Sequence, residues 1–329
     1  MNINKIRFIG RYIIKDNKPY FSYSGCGFIF SIKPLSSPYS FTLSLDSELK
    51  EHDTQYIVIY INDKFYSKEK LLSGNNKLTI SLDNKEKEVI IRVIKVNETY
   101  VSSIYLDDII LNNARLIQTK HSNKPLIGFF GDSLTCGYGL LDYKKPDFSM
   151  EGEDFSKTYA YLACFHLNMD YTVVARSGIS MALKIYIDQL FKEIYDTVDM
   201  FNKCEVDKNL DYAVINLGTN DNGAYSLLKE NQESALKEFK KEYIALLERI
   251  IKDNPHVKII LCHSMVLLLK ETINVIEEVK EYINKHYKNP CEVLAFVPND
   301  EGGSCHPYYT AHEENAKLLV NAVNKLARK

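Results

Sequence analysis

Hydrophobic and polar positions change rhythm once along the chain, close to residue 125. Up to about residue 113, short runs rich in Ile, Val, Tyr, Phe and Thr alternate with polar residues, at 20–23, 28–32, 41–45, 56–61, 78–82, 89–96 and 104–111. Turn-forming clusters separate them: Asp16-Asn17-Lys18-Pro19, Ser36-Ser37-Pro38, Asn62-Asp63, Ser73-Gly74-Asn75-Asn76 and Asp83-Asn84. Many short strands at close spacing, with no competing helical period, predict an all-β sandwich or jelly roll.

Beyond Leu126 strands and amphipathic helices take turns. Apolar runs at 126–130, 172–175, 212–217, 257–262 and 292–297 read as buried parallel strands. Helical patterns fall near 155–168, 182–197, 232–252, 268–287 and 311–327. The clearest has Leu236, Phe239, Tyr243, Leu246 and Ile250 on one stripe. The last opens on Thr310-Ala311-His312-Glu313, which has the spacing of a capping box. The alternation predicts a doubly wound parallel sheet. Residues 114–125 turn polar and end in Pro125, so the boundary belongs there, with a β domain at 1–118 and an α/β domain at 119–329.

Composition narrows the picture. The chain has 329 residues, enough for two cores, and 41 basic against 43 acidic side chains leave no field for a polyanion, so no nucleic-acid partner is expected. No apolar run is long enough to span a bilayer. The opening Met1-Asn2-Ile3-Asn4-Lys5-Ile6 has no secretory apolar core. A cytoplasmic location is therefore expected, the alternative being a secreted protein whose leader is absent from this chain. The seven cysteines show no close pairing or Cys/His spacing, so free, packed thiols and no metal or cofactor are expected. Nothing in the sequence specifies an oligomeric state.

Candidate chemistry gathers where strands of the second half end. The first runs into Gly131-Asp132-Ser133-Leu134-Thr135-Cys136-Gly137-Tyr138-Gly139. A hydroxyl on a glycine-led turn at the carboxyl end of a parallel strand stands where open α/β sheets place their ligands. The second strand leads to Arg176-Ser177-Gly178, the third to Gly218-Thr219-Asn220-Asp221, and Gly302-Gly303-Ser304-Cys305-His306-Pro307 precedes the final helix. Acyl transfer needs these types together. A serine hydroxyl becomes nucleophilic when a base near neutrality takes its proton. The oxyanion that develops needs donors already in place: the N–H groups of Ser133 and Gly178 and the amide of Asn220. Asp132 and Asp221 read as braces for their loops.

Those four ordered blocks resemble the SGNH (GDSL-type) hydrolase superfamily. The resemblance covers roughly residues 124–329 and implies a three-layer α/β/α domain with five parallel strands. It also implies Ser133 as nucleophile, Gly178 and Asn220 as oxyanion donors, and His306 as base. A jelly roll in front, with Gly10-Arg11-Tyr12 and Tyr23-Ser24-Gly25-Cys26-Gly27-Phe28, is similar to the layout of carbohydrate esterase family 2. That family removes acetyl groups from polysaccharides and oligosaccharides, largely at the primary 6-hydroxyl. The superfamily usually has an Asp three residues before the base; here Gly303 stands there, and the nearest carboxylates are Asp300 and Glu301. Some members of family 2 are understood to use a Ser–His dyad, with a backbone carbonyl fixing the imidazole. No Trp is present, so Tyr138, Tyr308 or Tyr309 are the candidate sugar-facing aromatics.

Other residues read more plainly. His312 is expected as a surface or capping neighbour in the first turn of the last helix, His263 packed, His121 in a solvated linker, and His52, His166, His256 and His286 without special context. Cys136 and Cys305 flank the site and are expected to be small packed residues. Two alternatives stay open: a lipolytic esterase or thioesterase on the same scaffold, and a carbohydrate-binding protein whose hydrolase site has decayed.

Overall fold

The computed structural model describes residues 2–50, 54–83, 86–228 and 231–328. It divides into two compact units: Met1–Asn123 with Val198–Cys204, and Lys124–Thr197 with Glu205–Lys329.

The first unit is two antiparallel sheets. One has the order β1 (Arg7–Ile9), β4 (Gly27–Pro34), β9 (Val89–Lys95), β6 (Gln55–Ile61), β7 (Lys64–Leu71); β11 (Ala114–Ile117) joins β1 along the same edge of β4. The other runs β2 (Ile13–Lys15), β3 (Lys18–Phe21), β10 (Ser102–Asn112), β5 (Tyr39–Leu49), β8 (Gly74–Leu82). Phe28, Phe30 and Ile32 of β4 and Phe41, Leu43 and Leu45 of β5 are fully buried, and the rings of Phe30 and Phe41 meet edge to face at 5.5 Å. The sandwich core forms from these alternate residues.

The segment Val198–Cys204 belongs to this unit through Asp199. Its Oδ2 accepts from the Tyr20 hydroxyl at 2.6 Å and its backbone carbonyl from the Tyr23 hydroxyl at 2.7 Å. Burial alone would raise the Asp199 carboxyl; donors on Tyr20, Asn202 and Phe201 outweigh it and hold the group below the usual carboxylate range.

The second unit carries a wholly parallel sheet in the order β13 (Asp170–Ala175), β12 (Leu126–Gly131), β14 (Tyr212–Asn216), β15 (Lys258–His263), β16 (Cys291–Ala295). Around it lie α1 (Ser133–Cys136), α2 (Tyr159–Leu167), α3 (Phe191–Ile194), α4 (Thr219–Leu227), α5 (Gln232–Asp253), α6 (Lys270–His286) and α7 (Tyr309–Ala327). Neighbouring residues of β12 face opposite layers: Phe129 meets Tyr159 of α2, while Phe130 meets Phe191 and Tyr195. This is the three-layer α/β/α arrangement, and it follows the all-β unit in the chain. The strand order reverses at β12, so the chain leaves β12, β13 and β14 around one switch point, where such sheets bind ligands. No described helix is long and apolar enough to cross a membrane.

Several sequence expectations need correction. Residues 114–117 are a strand, not linker, and Gly74–Asn76 belong to β8 instead of a turn. The helix expected over 182–197 shrinks to α3, because Asp221 accepts the N–H groups of Met181, Ala182 and Leu183 and holds them in a loop. The capping box is absent: α7 starts at Tyr309, one residue before Thr310, and its N-cap makes no side-chain bond. His312 is buried under α2, where its Nδ1 accepts from the backbone N–H of Tyr159 at 3.2 Å. Burial pushes its pKa down to about 3, so it stays neutral. Cys305 is exposed instead of packed, whereas Cys136 is buried. Asn84 of the expected Asp83-Asn84 turn and His52 lie outside the described residues.

Candidate active site

The turn after β12 is built from close approach. A side chain at Gly131 would come within 2.0 Å of Thr135 Oγ1, so only glycine lets the single-turn α1 fold back on the strand. Asp132 is its extended N-cap (φ −115°, ψ −151°), and Oδ1 accepts from the Leu134 N–H at 3.0 Å. Its other oxygen, Oδ2, is buried, and the Thr219 side chain also acts on the carboxyl. Burial pushes the Asp132 carboxyl up to about 7, against the pull of the Leu134 N–H. Ser133, the first residue of α1, is 5% exposed.

The last loop of the unit brings His306 to that serine. Its Nε2 lies 2.9 Å from Ser133 Oγ and its Nδ1 3.0 Å from the backbone carbonyl oxygen of Ser304. A carbonyl can only accept, so Nδ1 carries the proton and Nε2 presents its lone pair to the serine hydroxyl. The carbonyl points this way because Ser304 (φ 53°) and Cys305 (φ 58°) both take the left-handed conformation. Glu301 turns elsewhere, to Lys144 and Asn299. Burial lowers the His306 pKa, while backbone hydrogen bonds to Ser304 and Gly303 act in the other direction.

Gly178, with φ 76°, lies in the loop after β13, and Asn220 lies in the first turn of α4. The Asn220 amide donates to the Ile179 carbonyl at 2.8 Å, which ties the two loops together. An amide has two N–H donors, so this bond leaves one for another acceptor. Asp221, beside Asn220, accepts three backbone N–H groups from the loop past Gly178, and burial pushes its carboxyl up to about 6.

The tyrosines fall differently. The Tyr138 ring packs against His306 at 4.6 Å and stacks on Phe148 at 4.0 Å. Tyr308 packs on Tyr143, and the Tyr309 hydroxyl bonds Glu313. Which carbonyl would hold His306 was not readable from sequence, because the left-handed pair before the base, Ser304 and Cys305, contains no glycine to announce it. Among the described residues no cluster of three His, Cys, Asp or Glu side chains could hold a metal ion. A polarised hydroxyl, a neutral imidazole of fixed tautomer and neighbouring amide donors suit nucleophilic acyl transfer.

Comparison with known proteins agrees with this chemistry. The GDSL-like Lipase/Acylhydrolase family matches residues 129–329. No curated protein sequence matches the chain. Its fold is similar to a family two carbohydrate esterase from Clostridium thermocellum solved with cellohexaose (20% identity, 98% of this chain and 99% of that one, TM-score 0.86). It is also similar to an acetyl xylan esterase from the rumen bacterium Butyrivibrio proteoclasticus (19% identity, 99% and 97%, TM-score 0.84). A third is a carbohydrate esterase family 2 enzyme plus carbohydrate binding domain from Corynascus thermopiles (21% identity, 98% and 100%, TM-score 0.82).

Proposed function

Because this chain belongs to the GDSL-like Lipase/Acylhydrolase family, we propose that it is a serine esterase that removes acetyl groups from carbohydrate, at the 6-hydroxyl, through an acetyl-enzyme. The observation that carries this reading is the 2.9 Å contact between Ser133 Oγ and an imidazole whose tautomer is fixed from behind. The carbohydrate substrate rests on likeness of fold to the esterases named above.

Ser133 attacks the acetyl carbonyl as His306 takes its proton at Nε2. The tetrahedral oxyanion is met by the N–H groups of Ser133 and Gly178 and by the remaining amide hydrogen of Asn220. His306 then protonates the departing sugar oxygen, and afterwards takes a proton from the water that cleaves the acetyl-serine. Asp132 braces the nucleophile turn, and Tyr138 and Tyr308 border the sugar. A polysaccharide substrate would place the protein outside the cell, the second of the two locations expected above. The test is Ser133→Ala assayed on an aryl acetate and on a 6-O-acetylated oligosaccharide. Loss of both activities with the circular dichroism spectrum unchanged supports the assignment; retained turnover rejects it.

A further inference from the structure

The base loop is held in an uncommon conformation by a second loop, residues 137–152. Gly303 N–H donates to the Gly139 carbonyl at 2.8 Å, Ser304 N–H to Lys145 at 3.2 Å and Tyr309 N–H to Leu140 at 3.0 Å. Ser304 Oγ donates to the Pro146 carbonyl at 3.3 Å, and Lys144 N–H returns to the Glu301 carbonyl at 2.6 Å. Left-handed backbone at residues that are not glycine persists where the surroundings over-determine it. These five bonds join the one from Tyr308 N–H to Asn299 in making those surroundings, and their geometry depends on loop 137–152 keeping its shape.

That shape has one hub. Asp142 is 1% exposed, and Oδ1 accepts from Lys145 Nζ at 2.8 Å and Ser149 Oγ at 2.7 Å. Oδ2 accepts from the Ser149 backbone N–H at 3.0 Å and from Ser149 Oγ at 2.9 Å. Its own backbone N–H donates to the Gly139 carbonyl at 3.0 Å, the same carbonyl that receives Gly303. The side chain is gripped between two glycines: a Cβ at Gly152 would fall 1.9 Å from Oδ2, and one at Gly303 2.8 Å from the Asp142 Cβ. Asp142 therefore both shapes the supporting loop and sets how closely the base loop approaches it.

The geometry points to Asp142 as the positioning residue for His306: by ordering loop 137–152 it fixes the Ser304 carbonyl that orients the imidazole. Among the described residues its side chain bonds Lys145 and Ser149, and not the imidazole or the serine. Without an acidic partner at position 303, orientation of the base depends on a carboxylate acting through backbone instead of by direct contact. This inference rests on the esterase reading.

The experiment measures kcat and KM on an aryl acetate for Asp142→Ala, Asp142→Asn and Gly152→Ala, with kcat normalised to serine titrated by an organophosphonate. Misplacing a catalytic group from a distance costs roughly tenfold to a hundredfold in rate. Asp142→Ala and Gly152→Ala should lose that much kcat per titrated serine, with KM within about twofold, as expected for an effect on transition-state geometry alone. Asp142→Asn, which keeps one acceptor oxygen for Ser149, should recover most of it. Parent kcat per titrated serine in Asp142→Ala, or an Asn variant as slow as the Ala variant, would overturn the proposal. Failure of the esterase reading shows separately, as a parent protein that neither turns over nor labels.

Discussion

The imidazole of His306 donates from Nδ1 to the carbonyl oxygen of Ser304, two residues upstream, and that single 3.0 Å bond decides which ring nitrogen faces the nucleophile. A carbonyl fixes the tautomer as a carboxylate would, but it carries no full charge to stabilise the imidazolium. The base is therefore set by burial more than by a counter-charge.

The first prediction follows from that balance. His306 works when neutral, and its pKa is lowered from the ordinary 6.5. Its protonated fraction thus grows only at lower pH, and kcat/KM should hold its plateau down past pH 6.5 before falling. A pH profile of aryl acetate hydrolysis with an acidic midpoint above 6.5 would contradict this. His306→Ala should lose roughly a hundredfold to ten-thousandfold in kcat.

Asn220 offers a quantitative check on the oxyanion site. Truncation to Ala removes both the amide proposed for the oxyanion and the bond to Ile179. Loss of one oxyanion donor costs roughly a hundredfold to a thousandfold in kcat. A variant within a few fold of the parent would return Asn220 to a purely structural part, tying two loops together.

Acyl preference separates the acetyl esterase from the lipolytic reading. Ratios of kcat/KM for aryl acetate and aryl octanoate should favour acetate if the acyl site is small. Preference for octanoate would select the alternative, and a protein that labels with an organophosphonate in neither case would be the carbohydrate-binding remnant.

Asp132 yields a stability prediction. Its carboxyl rises from the usual 3.8 to about 7 in the folded protein, so between those values the native state binds more protons than the unfolded chain. Its contribution to stability is therefore greatest at low pH and falls as pH rises through that window. Asp132→Asn keeps an equivalent N-cap without the buried charge. The Tm difference, variant minus parent, should increase from pH 4 to pH 7.5; a constant difference would rule out a buried ionising group.

Much of this was legible in the sequence because the parallel strands are buried on both faces and the four site segments follow in order. Elements escaped where burial did not govern the side chains. Strand β7, Lys64–Leu71, pairs on one side only and is largely solvated, so nothing in its run of charges announces a strand. The loop after β13 misled in the opposite sense. Its apolar spacing suits a helix, but Asp221, distant in sequence, takes the N–H groups that helix would need. Local periodicity cannot register a competitor that arrives forty residues later. His312 was misplaced for a similar reason, its buried partner Tyr159 lying on another helix.

The grip of Tyr20 and Tyr23 on Asp199 bears on how the protein is made. On a ribosome the β unit's strands emerge first, yet the carboxylate that answers the Tyr20 hydroxyl emerges only after β13 and α3. The front half must wait, incomplete, while part of its neighbour is translated, although domains generally fold as units during synthesis. A nascent chain stalled at residue 123 should be cut by protease more readily than one stalled beyond 204.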